Sequence, residues 1–130
     1  MLNLDEQFLS LEHRQFREQL SRFIAREVVP NAPAWESAGI LPRSLYRQMG
    51  ELGFLGLAIP AEQGGTELDA LGTVVFGEEL GRSGFGGFAA SVSDHADMAA
   101  PCIVRTGTAE QKQRFLPAVA AGQRVMGFAV

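Results

Sequence analysis

The chain has 130 residues, which at roughly 150 residues per domain allows one compact unit and leaves no room for a two-domain enzyme. With 46% hydrophobic and 20% charged residues and a mean hydropathy of +0.05, it can cover a core, which excludes a disordered tail or a collagen-like repeat. Fifteen acids against eleven bases give a net charge of −4, so nothing draws it to phosphate backbones or anionic membrane surfaces, and no nucleic-acid partner is expected.

The first helix is read over Ser10 to Val29. Phe16, Leu20, Phe23, Ile24 and Val28 recur at helical spacing, with Arg14, Glu18, Arg22 and Arg26 between them. Pro30 and Pro33 end it, and Trp35 falls in the linker that follows, anchoring it to the helices beneath. A second helix begins near Pro42, buries Leu45, Tyr46, Met49 and Leu52, and stops at Gly53. From Phe54 to Leu68 the pattern breaks into the longest connection, punctuated by Pro60, Gly64 and Gly65. Asp69 caps a third helix that turns Leu71, Val74, Val75 and Leu80 inward and closes at Gly81 and Gly84.

The fourth helical element runs from about Phe85 to Thr106. Thr108 with Gln111 forms a capping box that opens a fifth helix, apolar at Phe115, Leu116 and Val119 and ended by Gly122. Val125 to Val130 is an apolar run of strand type without a clear partner strand. The fold class is therefore all-α, a bundle of about five helices with a terminal strand-like run at 125–130. The lone Cys102 can form no internal disulfide, the first thirty residues lack a basic start followed by an apolar run, and no segment approaches the roughly 18 apolar residues of a membrane span. The expectation is a soluble, cytoplasmic protein without a membrane span.

Groups that could carry chemistry are few. His95 and Cys102 lie on one helix about 10 Å apart, too far to share a hydrogen bond, and Cys102 is expected to be buried and inert. Asp94, His95 and Asp97 are poorly spaced for a metal and read as a solvated edge or a polar pocket lining. Gly84, Gly86 and Gly87 have no preceding strand and no following Lys, so a helix junction fits better than a phosphate loop. Glu78 and Glu79 diverge around their helix and read as a solvated face. On these residues alone there is no catalytic set and no metal site.

Two segments go further. Gly53, Phe54, Leu55 and Gly56 lead to Ile59, Pro60, Ala61, Glu62, Gln63, Gly64 and Gly65; later comes the run from Gly107 to Pro117, followed by Ala121, Gly122 and Gln123. In this order and spacing, with the helix ending at Val28, Val29 and Pro30, they resemble the amino-terminal helical domain of the acyl-CoA dehydrogenase family over almost the whole chain. The resemblance implies that residues 1–124 form that domain and 125–130 begin a β domain. It implies FAD as cofactor of the complete protein, with neither tight flavin binding nor activity expected of this chain alone. It places Phe128 and Val130 beside the flavin and implies an acyl-CoA or related acyl thioester as substrate, lined by Phe88, Ser91, Val92 and His95. The implied reaction oxidises the acyl thioester to the trans-2-enoyl thioester, with the catalytic base outside this chain. Homo-oligomers are expected of the full-length form. The polar residues Ser91, Ser93, Asp94, His95 and Asp97 suit a polar or bulky acyl group better than a plain alkyl chain. The same fold also occurs in acyl-CoA oxidases and two-component flavin monooxygenases, and a stand-alone helical binding module without flavin is the remaining alternative.

Overall fold

The computed structural model describes residues 7–130; the first six residues of the expected 1–124 domain lie outside it. In chain order the helices are α1 (Leu11–Phe23), α2 (Ala32–Ala38), α3 (Arg43–Glu51), α4 (Ala70–Arg82), α5 (Gly86–Ser93), α6 (Ala100–Thr106) and α7 (Ala109–Ala120). Widened π turns at Ile24–Val28 and Asp94–Ala99 extend α1 and join α5 to α6, so the expected element from 85 to 106 is one continuous helical rod. The all-α class holds, and the described residues contain no strand.

Three of these helix starts, those of α1, α4 and α7, carry side-chain caps. Ser10 caps α1: its hydroxyl accepts from the His13 amide at 3.3 Å, while its own amide donates to His13 Nδ1 at 3.1 Å. The other nitrogen, Nε2, lies 2.7 Å from Asp69 Oδ1, and Asp69 in turn caps α4 by accepting from the Gly72 amide at 3.0 Å. Two helix N-termini are thus tied together through one imidazole. The Gly72 amide, followed by His13, holds the Asp69 carboxyl below the usual range. Thr108 and Gln111 form the expected box at the start of α7.

Pro33 does not lie in a linker. It sits in the first turn of α2, where its fixed φ suits a helix start and its missing amide costs nothing, so Trp35 belongs to a short helix. Two buried stripes also differ from expectation. α3 ends at Glu51, which leaves Leu52 in the exit turn and exposed. On α4 the buried set is Gly72, Val75, Phe76, Glu79 and Leu80, the spacing of one helix face, and this leaves Leu71 and Val74 a step round the helix and exposed. Glu79 therefore lies on the core face while Glu78 stays exposed, and its buried carboxylate accepts from Arg82 at 2.7 Å with Arg17 3.6 Å away. Cys102 is exposed, its thiol donating to the Met98 carbonyl at 3.3 Å, because α6 turns that face outward.

The main core joins α1, α3, α4 and α5. Phe54 sits at its centre, with its ring 5.8 Å from Phe16 and 5.7 Å from Phe23. The 54–68 connection is folded onto this core, with Phe54, Leu55, Leu57 and Ile59 buried, and it closes on itself where Thr66 and Leu68 donate to the Gly56 and Leu57 carbonyls at 2.8 and 2.9 Å. A second core of Ile59, Ala100, Leu116, Val119 and Ala120 seats α7 against α6. The end of α7 lies almost in contact with α3. Gly122 takes φ +67°, and a Cβ there would stand 1.9 Å from the Tyr46 carbonyl oxygen, so only glycine fits.

Candidate functional site

The π turn at Asp94–Ala99 precedes Pro101, whose ring cannot share the regular i→i−4 ladder. The wider turn routes the Ala100 amide to the His95 carbonyl instead, and wide turns of this kind are frequent at functional sites. Asp94 and His95, the first two residues of this turn, both reach the end of the chain.

His95 has no exposed surface. Its Nε2 lies 3.2 Å from the Val119 carbonyl and its Nδ1 3.0 Å from the Met126 amide. An amide can only donate and a carbonyl can only accept, so the imidazole carries its proton on Nε2 and is neutral. Burial holds its pKa below the usual histidine range, against the opposing pull of the Val119 hydrogen bond and Asp94. The Tyr46 ring stands edge-on to the imidazole at 5.6 Å. Burial, then the charge of Asp94, raises the Tyr46 hydroxyl, while Arg43 lowers it. Asp94 accepts from the Phe128 amide at 3.0 Å through Oδ1 and 3.3 Å through Oδ2.

The six residues read from the sequence as site residues fall in four places. Phe88 and Ser91 share a cavity of about 240 Å³ between α2 and α5, closed on the other side by Ala32, Trp35 and Leu41. Val92 is completely buried in the main core. His95 points away toward α7 and is committed at both nitrogens, so it is not a free polar lining. Phe128 and Val130 lie at the open end of the chain, 47% exposed and fully exposed.

Asp94 is half-buried, and at an exposed contact its carboxylate holds a backbone amide. The polar set on this helix is therefore smaller than its composition suggests, with Asp94 and His95 occupied and Ser91, Ser93 and Asp97 remaining. Tyr46 and Trp35 were legible only as apolar anchors. No trio of acidic, histidine or cysteine side chains suited to a metal occurs among the described residues, and none of their helices is long and apolar enough to cross a membrane. In the arginine-bearing groove between α1 and α4, Arg17 pairs with Glu78, Arg22 with Glu18 and Arg82 with Glu79.

The bundle thus holds the 125–130 segment through His95 and Asp94 and leaves Phe128 and Val130 exposed. The chain belongs to the acyl-CoA dehydrogenase family, matching the description "Acyl-CoA dehydrogenase, N-terminal domain" over residues 10–123. It is 36% identical over 121 residues to the long-chain specific acyl-CoA dehydrogenase of mouse mitochondria, covering 93% of this chain and 28% of that protein. An acyl-CoA dehydrogenase structure from Geobacillus kaustophilus superposes with a TM-score of 0.84 at 36% identity, over 91% of this chain and 30% of the other. One from Bacillus anthracis, described as complexed with FAD, gives a TM-score of 0.81 at 31% identity, over 92% and 21%. The chain thus spans less than a third of the length of these relatives.

Proposed function

We propose that the chain is the amino-terminal wall of a flavin-dependent acyl-CoA dehydrogenase that converts an acyl thioester to the trans-2-enoyl thioester. The observation that carries this reading is the family match over residues 10–123, joined to a solved relative described as an FAD complex. Residues 1–124 are the helical domain, and 125–130 lead toward the flavin-binding part. A flavin ring needs a flat apolar border, and the exposed side chains of Phe128 and Val130 fit that need. When bound, FAD supplies the acceptor for a hydride from the β-carbon.

This chain's own residues orient and enclose. Asp94 and His95 fix where Phe128 and Val130 stand, Phe88 and Ser91 line the cavity beside Trp35, and Val92 backs that wall from the core. The proton-abstracting base is assigned to no residue here. With two of the five polar groups already paired, the helix offers less polarity to an acyl chain than its composition suggests, so the reading does not depend on a polar substrate. A soluble cytoplasmic homo-oligomer completes the proposal.

The native gene product tests it. It should purify with flavin absorbance that bleaches on addition of acyl-CoA in the absence of oxygen, with enoyl-CoA as product. A protein without flavin that leaves short, long and branched acyl-CoA unchanged would refute the reading. Rapid oxygen consumption with hydrogen peroxide formation would move it to the oxidases.

A further inference from the structure

We infer that Asp94 and His95 act as a register lock, positioning residues that select the amides of Met126 and Phe128 and thereby fix which side chains of 125–130 face outward from the bundle. The amides they hold are two residues apart, and each acceptor is a side chain on one rigid turn. A slip of the segment by one residue would bring the amides of Gly127 and Ala129 to these acceptors, and would move Phe128 and Val130 out of place. The fit is also local: a Cβ at Gly127 would already stand 3.4 Å from Asp94 Oδ2.

The lock has an electrical condition. Met126 needs an unprotonated Nδ1, because a protonated imidazole would place one N–H against another. The groups facing His95 are Asp94 on its own turn, Tyr46 on α3 with Arg43 beside it, the Val119 carbonyl on α7 and the Met126 amide. Both of its nitrogens are engaged and the ring is fully buried, so a change of charge there has no water to relax into. Protonation of His95 should therefore release the Met126 amide.

For the flavin reading the lock supplies an aligned border, and that consequence rests on the proposed function. The lock itself is tested on this chain without flavin, so the two can fail separately. In the 15N-labelled chain near neutral pH, His95 should show the neutral Nε2–H tautomer, and the Met126 and Phe128 amides should be protected from hydrogen exchange. Asp94→Ala should speed exchange at Phe128 by about tenfold or more, the loss of a hydrogen bond to a charged acceptor. Asp94→Asn, which keeps an acceptor oxygen, should restore much of the protection, a rescue that a general loss of stability would not give. An Nδ1–H tautomer, an unprotected Met126 amide, or an Asp94→Ala chain with unchanged Phe128 exchange would each overturn the inference.

Discussion

Replacing Gly122 by alanine is the sharpest test of how α7 is seated. The residue takes φ +67°, a region that costs a side chain about 1–2 kcal/mol. A Cβ there would stand 1.9 Å from the Tyr46 oxygen, 2.4 Å from its carbonyl carbon and 2.9 Å from the Arg47 nitrogen, all backbone that cannot rotate aside. Relief requires α7 to lift off α3 by more than an ångström, and overpacking of this kind costs about 1–3 kcal/mol. The sum is about 2–5 kcal/mol, a large share of the roughly 5–15 kcal/mol that holds a domain together. Gly77 is the control: exposed in the interior of α4, with nothing within 4 Å of a Cβ, it should gain about 0.5–1 kcal/mol on becoming alanine. Urea unfolding followed by circular dichroism reads both from the midpoint at constant slope. If Gly122→Ala lost less than about 1 kcal/mol, the close contact between α3 and α7 would be wrong.

Acidification below about pH 6.5 should weaken the fold through His95. An unfolded histidine titrates near 6.5, and burial depresses His95 below that, so between the two values the unfolded chain binds more protons than the folded one. Stability is then complete above about 6.5 and falls as pH drops toward the folded pKa; a urea midpoint flat from about pH 7.5 to 5.5 would contradict this. Phe54→Ala removes a fully buried ring that touches two others and should cost about 3–5 kcal/mol in the same unfolding experiment. Cys102 should react with a soluble thiol reagent in the native state without urea, since it is exposed; a thiol that reacts only on unfolding would restore the buried reading.

What the sequence could reveal depended on how local the cause was. Caps at Asp69 and Thr108, the stripe of α1 and the glycine at 122 are written in neighbouring residues, and each was read where it stands. The inward face of α4 was not. Leu71 and Val74 are as apolar as Val75 and Leu80, and only the neighbouring helices decide that the face holding Glu79 turns inward, where Arg17 and Arg82 compensate its charge. Trp35 reads as linker because a proline can either end a helix or start one, and the sequence alone does not say that Pro33 starts α2.

The same limit governs the candidate site. Asp94 and His95 looked like a polar edge because their partners, Val119, Met126 and Phe128, are backbone groups 24 to 34 residues away, and a backbone group leaves no mark in a sequence. A polar pair beside Pro101, followed later by an apolar run without a partner strand, was the available signal. Those two oddities answer each other: the run has no strand to satisfy its amides, and the π turn supplies acceptors for two of them. The bundle therefore holds the 125–130 segment through the side chains of His95 and Asp94, with no strand ladder among the described residues. That hold is adjustable by one proton on His95, whereas a backbone ladder would offer no such group.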